Sequence, residues 1–204
     1  MKKVLCFGDS NTFGFIPENG GRYDKNTRWP GILSSLGAQN FKIIEAGCNN
    51  RTAFSDNPAG VQQTGYKVLP TLLTDDLACV ILAIGINDLQ KAYCAETNDI
   101  KNGISNLIKI VKEKSPNAKI LLIAPSKLTK DVLKGYFSLL FDEISIAKCQ
   151  NLSEIYSGIA QEENCDFLDL NRFVEVSALD GLHYEPQQHK KAAEIIFSKL
   201  TQIL

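Results

Sequence analysis

The sequence predicts one three-layer α/β/α domain spanning residues 1–204, with helices on both faces of a central five-stranded parallel sheet. Three observations predict it. Five short apolar runs recur along the chain, none shows the polar alternation of a half-solvated strand, and helical patterns separate them.

Residues 3–7 read as the first strand, which runs straight into Gly8-Asp9-Ser10. A helix is expected at 29–36, with Pro30 in its first turn and Gly37 closing it. Strands follow at 41–46 and 79–84. Residues 98–114 place Ile100, Ile104, Leu107, Ile108 and Val111 on one stripe, with Asn98 as the expected N-cap and Pro116 just beyond the end. The fourth strand is expected at 119–124. Residues 132–163 read as helical, with a break near Asn151-Leu152-Ser153. A fifth strand at 165–170 precedes a final helix at 187–204, in which Ala192, Ile196, Leu200 and Ile203 share a face. No repeat, low-complexity tract or linker interrupts this order.

Composition narrows the function. Hydrophobic residues make up 44 % of the chain and charged residues 22 %, ordinary for a globular protein and incompatible with intrinsic disorder. A chain of this size buries roughly 70 % of its unfolded surface and needs no covalent staples. With 22 Lys+Arg against 23 Asp+Glu, the net charge is −1, so nucleic acid is not expected as a partner. The longest apolar run, 79–86, is far short of the ~20 residues of a membrane span, so no membrane partner is expected. Met1-Lys2-Lys3 starts like a leader, but the apolar stretch after it is too short for one, and a cytoplasmic location is expected. The six cysteines (6, 48, 79, 94, 149 and 165) show no metal-ligand pairing and read as free thiols.

Ligands of parallel α/β sheets bind beyond the carboxyl ends of the strands, and four segments there carry chemistry. The first is Gly8-Asp9-Ser10-Asn11-Thr12-Phe13-Gly14: a serine at a strand-to-helix turn, where outward backbone N–H groups can receive an oxyanion. Alone, Ser10 also reads as a helix cap. Neither the dinucleotide nor the Walker A glycine spacing fits this segment. The second segment is Gly47-Cys48-Asn49-Asn50-Arg51-Thr52, where Gly47 can bring a bare N–H close to a ligand or simply make a turn. The third, Gly85-Ile86-Asn87-Asp88, offers the Asn87 carboxamide as a donor past the sheet edge. The fourth is Asp180-Gly181-Leu182-His183, whose three-residue spacing lets a carboxylate orient an imidazole. There are two histidines. His183 is the candidate base; His189, followed by Lys190-Lys191 in a helical pattern, reads as a solvated surface residue. No metal or cofactor is expected, because neither histidine has a ligand-like neighbour.

Together these segments resemble the SGNH (GDSL-type) hydrolase superfamily, whose four blocks stand here in order as Gly8-Asp9-Ser10, Gly47, Gly85-Ile86-Asn87-Asp88 and Asp180 to His183. Arg28-Trp29, Arg51-Thr52 and Lys91-Ala92-Tyr93 are similar to the arylesterase-like branch, which includes small-acyl carbohydrate esterases. The resemblance implies a flavodoxin-like sheet and a serine esterase acting on acetyl-type esters of aryl, alkyl or sugar alcohols. In that reading Ser10, His183 and Asp180 are nucleophile, base and orienter; Ser10, Gly47 and Asn87 form the oxyanion hole. Many relatives have a small residue where Asn50 stands, so Asn50 is expected to touch substrate in its own way. Residues 11–28 read as a long loop over the site; Trp29, next to a helix start, reads either as core packing or as a wall of the acyl pocket. The resemblance also implies self-association into a homo-oligomer. Two other readings are a lysophospholipase or thioesterase of the same superfamily, and a binding module without chemistry.

Overall fold

The computed structural model describes residues 1–204. In chain order it contains β1 (Lys2–Gly8), α1 (Ser10–Phe13), α2 (Trp29–Leu36), β2 (Phe41–Gly47), α3 (Gly65–Leu72), β3 (Leu77–Ala83), α4 (Thr97–Lys114), β4 (Lys119–Ile123), α5 (Glu143–Cys149), α6 (Leu152–Glu162), β5 (Asp166–Leu168) and α7 (Pro186–Ile203). The strands form one parallel sheet in the order β2-β1-β3-β4-β5.

Strand periodicity explains why the strands are apolar throughout. In β1, Val4 and Cys6 face one core with Trp29 and Leu33 of α2 and Ala192, Ile196 and Leu200 of α7. Leu5 and Phe7 face the other, with residues of α3, α4 and α6. β3 divides likewise: Cys79 and Ile81 toward α2 and α7, Val80 and Leu82 toward the opposite layer. Residues 4–7 of β1 and 79–82 of β3 are therefore buried, whichever way they point.

The chain leaves β1 toward β2 and returns past it to β3, so the connections diverge between β1 and β3. In this order of strands that divergence opens a crevice at the carboxyl ends. Ser10 follows β1 and Asn87 follows β3, placing both beside it.

Several elements differ from the sequence reading. α3 is additional: Pro70 and an initial glycine hide a short helix that buries only Val68 and Leu69 among its large apolar residues. α4 is capped by Glu96, whose side chain and that of Asp99 close a capping box, rather than by Asn98. β5 is three residues long, because Leu170 already turns into a 3₁₀ turn capped by Asp169. The expected helix over 132–163 starts late. Thr129 caps a 3₁₀ turn at Lys130–Leu133, another follows at Tyr136–Leu139, and only the capping box of Asp142 and Ser145 starts regular helix. No helix is long and apolar enough to cross a membrane.

Candidate active site

Ser10 is the first residue of α1, and the cap is Asp9, whose carboxylate accepts the N–H of Asn11 at 3.0 Å. The serine hydroxyl is therefore free of capping duty. Burial pushes the Asp9 carboxyl up to about 7, against the Asn11 N–H and the Arg51 charge, which lower it.

Asp180 and His183 form one compact turn. Asp180 Oδ1 accepts the N–H groups of Leu182 and His183, each at 3.0 Å, and Oδ2 faces His183 Nδ1 at 2.6 Å. Burial works to raise the Asp180 carboxyl, but the His183 ring and these two N–H groups outweigh it and hold it below its ordinary value. An ionised carboxylate only accepts, so Nδ1 carries the ring proton. Nε2 is then an acceptor, and Ser10 Oγ lies 2.8 Å from it. Phe15 stacks on the imidazole with centroids 4.2 Å apart, and Phe137 closes a second side at 5.2 Å.

The side chain next to Ser10 fastens this arrangement. Asn11 Nδ2 donates to Leu182 O and to Ser126 Oγ, both at 3.1 Å, while its Oδ1 accepts the Tyr184 N–H at 3.0 Å. One amide thus holds the backbone on both sides of His183. Sequence reasoning missed Asn11, Phe15 and Phe137. No local pattern marks them, and Asn11 meets Leu182 across 171 positions.

The second and third loops are tied to each other. Asp88 accepts the N–H groups of Ala53, Phe54 and Ser55 at 2.6, 3.0 and 2.8 Å. Arg51 donates from Nη1 to Ala46 O at 2.5 Å and Gly8 O at 3.2 Å, and from Nε to Gln62 O at 2.9 Å. Gly85, at φ 125°, has no room for a Cβ beside the Tyr156 hydroxyl, which itself donates to Ile84 O at 2.9 Å. The 3₁₀ turn Ile86–Leu89 then brings Asn87 to the crevice.

A cleft of about 240 Å³ stands in front of Ser10 and His183. Asn49, Asn50 and Asn87 line one side; Phe15, Tyr136, Phe137, Leu140 and Leu182 line the other. Larger surface grooves of about 440 and 610 Å³ lie at the opposite, amino-terminal rim of the sheet, and neither contains a histidine. No group of three or more His, Cys, Asp or Glu side chains converges as a metal site.

Residues 6–191 match the GDSL-like Lipase/Acylhydrolase family. The chain belongs to that family. It is a carboxylic ester hydrolase with the SGNH hydrolase fold. This GDSL-like acylhydrolase is 28 % identical to a native aryl esterase from M. smegmatis, covering 100 % of both chains at a TM-score of 0.91. It is 26 % identical to a carbohydrate acetylesterase from Sinorhizobium meliloti, again over 100 % of both chains and at a TM-score of 0.91. A lipase/acylhydrolase from Enterococcus faecalis, 17 % identical over 99 % of this chain and 96 % of its own at a TM-score of 0.74, shares the fold. No curated protein matches the chain in sequence.

The expectations for Gly47 and Trp29 in this acylhydrolase's site are corrected by the geometry. Gly47 does not line the cleft. A Cβ there would collide with the backbone of Thr12 and Phe13, so this glycine serves the close packing of β2 on α1. Because Cys48 N–H donates back to Gly8 O at 3.2 Å, strand alternation turns the Gly47 N–H the other way, to the open edge of the sheet. Asn50 is the second-loop residue at the cleft, in the left-handed region at φ 58°, and its backbone N–H donates to no protein atom. Trp29 is 2 % exposed and packs in the core between the sheet and α7, away from the cleft.

His189 is fully buried rather than solvated. The helix turns Lys190 and Lys191 outward while His189 faces inward, where its Nδ1 accepts the Trp29 N–H at 3.3 Å and Nε2 has no partner. Burial, reinforced by the His183 charge, pushes its imidazole down to about 3. The loop at 14–28 covers less of the site than expected. Phe15 reaches His183, but Arg22 and Arg28 bind Glu45 of β2 at 3.2 and 2.6 Å and draw the rest to the sheet edge.

Proposed function

We propose that this esterase hydrolyses short-acyl, acetyl-type esters of aryl, alkyl or sugar alcohols through a serine acyl-enzyme. The single observation that carries the reading is the unbroken line from Asp180 Oδ2 through His183 to Ser10 Oγ, at 2.6 and 2.8 Å. Ser10 Oγ attacks the ester carbonyl as its proton passes to His183 Nε2, and Asp180 stabilises the imidazolium that forms. The collapsing tetrahedral intermediate expels the alkoxide, which takes that proton from His183. Water then repeats the sequence on the acyl-enzyme, releasing acid and free Ser10.

Three donors serve the oxyanion in this reading: the N–H of Ser10 at the start of α1, the N–H of Asn50, and the Asn87 carboxamide. Neither backbone N–H has a protein acceptor. Every step uses side-chain and backbone groups, so the reaction calls for no cofactor, and the partner is a small ester.

The size of the cleft favours short acyl groups, since about 240 Å³ must hold acyl and alcohol portions together. The similarity to an aryl esterase and to a carbohydrate acetylesterase points the same way. Comparing acetyl, butyryl and octanoyl esters of one chromogenic alcohol tests this. kcat/KM is expected to fall from acetyl to octanoyl, whereas an optimum at octanoyl would give the lysophospholipase or thioesterase reading instead.

A further inference from the structure

Gln90 follows the 3₁₀ turn that carries Asn87, is buried at 4 % exposure, and has no part in the acyl-transfer steps above. Its Nε2 donates to two acceptors at once: Asn50 Oδ1 at 2.7 Å and Asn87 Oδ1 at 3.0 Å. Both asparagines line the cleft.

The direction of these amides follows from a group that cannot be reversed. Arg51 O is a backbone carbonyl and only accepts; it takes a hydrogen bond from Asn87 Nδ2 at 3.0 Å. Asn87 therefore turns its Oδ1 to the other side, toward Gln90, and Gln90 must answer with its NH₂ group. The second hydrogen of that NH₂ then fixes Asn50 with its own Oδ1 inward. One hydrogen of Asn87 Nδ2 stays unclaimed. Asn50 Nδ2 bonds no protein atom and is not among the buried polar atoms lacking a partner, so it reaches the cleft.

We propose that Gln90 is a positioning residue that sets the polarity of the cleft's asparagine wall. It holds Asn87 with a donor toward the oxyanion and turns the Asn50 carboxamide so that its Nδ2 is a further donor to the substrate. The proposal rests on the reading of Asn87 as an oxyanion donor. Without Gln90, either carboxamide can rotate about its last torsion and present a lone pair where negative charge develops. A glutamate of the same shape makes this acute, because a carboxylate accepts only and repels both Oδ1 atoms.

The test is a double-mutant cycle on Asn87→Ala and Gln90→Glu, with Gln90→Met as a neutral control, read by kcat and KM on a chromogenic acetate. A parallel readout is the affinity of a boronic acid that forms a tetrahedral adduct on a serine. Asn87→Ala is expected to lower kcat by about 10²–10³. Gln90→Glu is expected to lower kcat by roughly 10², with KM within about threefold and boronate affinity falling in step with kcat. Gln90→Met, which removes the donor without repulsion, should lose only about tenfold, and it carries the test if the glutamate variant does not fold. The double variant should be slower than Asn87→Ala by no more than about tenfold, well short of the product of the single losses, because Gln90 acts largely through Asn87 and keeps only its effect through Asn50. Full activity in both Gln90 variants, or losses that simply multiply in the double variant, would overturn the proposal. Full activity in Asn87→Ala would instead remove the oxyanion reading beneath it.

Discussion

Two buried imidazoles stand six positions apart, on either side of the start of α7, and they have opposite surroundings. His183, in the loop before the helix, meets a carboxylate on Nδ1 and a hydroxyl on Nε2. His189, within the helix, accepts a backbone N–H on Nδ1 and meets nothing on Nε2, between the rings of Tyr23 and Tyr184. Burial alone therefore assigns neither role. A carboxylate orients the ring of His183, whereas burial pushes the imidazole of His189 down to about 3.

The comparison breaks most sharply when the anion is removed. Asp180→Asn leaves His183 without its anionic orienter, as His189 is, and in the proposed mechanism is expected to cost about 10⁴ in kcat. Steady-state kinetics on a protein whose circular dichroism is unchanged would check this; a near-normal rate would mean that another group orients His183. A smaller loss is expected from Asn11→Leu, which keeps the volume but releases the backbone on both sides of His183. A decrease of roughly ten- to a hundredfold in kcat at similar KM is expected, as for misplacement of a reacting group by a fraction of an ångström to about 1 Å.

The smallest effect on rate belongs to His189. His189→Asn should leave kcat at neutral pH within about threefold, while changing how stability depends on acidity. With its pKa lowered from 6.5 to about 3, the folded protein keeps His189 neutral where the unfolded chain protonates it. Stability from this group is present above pH 6.5 and declines as pH falls toward 3, by up to roughly 1.4 kcal/mol per pH unit. Asp9 has the opposite sign. Its carboxyl, raised from 3.8 to about 7, favours the fold at low pH and loses that contribution as pH rises through 7. Subtracting the denaturation curves of His189→Asn from those of the parent between pH 4 and 7 cancels the Asp9 contribution and isolates the histidine. Parallel curves would place His189 in contact with solvent.

The same contrast explains what the sequence makes legible. β1 and β3 are readable because their stretches covered on both faces, 4–7 and 79–82, are apolar without a break, and α2 because Pro30 and Gly37 mark its ends. Ser10, Asn87, Asp180 and His183 were readable as candidates because each is a residue type suited to acyl transfer, in a loop at the carboxyl rim. His189 was hidden by its lysine neighbours: helical rotation sends adjacent residues to different faces, so charge at 190 and 191 says little about 189. Gly47 and Asn50 differ only in which backbone N–H turns toward the crevice, a matter of strand pairing and a positive φ rather than composition. Trp29 faces the core with Leu33, four positions on along the same side of α2. Asn11, Phe15, Phe137 and Gln90 owe their places to contacts between loops far apart in the chain, which no local pattern records.

The central claim, that Ser10 is a nucleophile activated by His183, is tested most directly with a fluorophosphonate. The reagent should add its phosphonyl group once to the parent protein, on the peptide containing Ser10 by mass spectrometry, and not at all to Ser10→Ala. Undiminished labelling of Ser10→Ala, or an unlabelled parent that still hydrolyses acetyl esters, would contradict it.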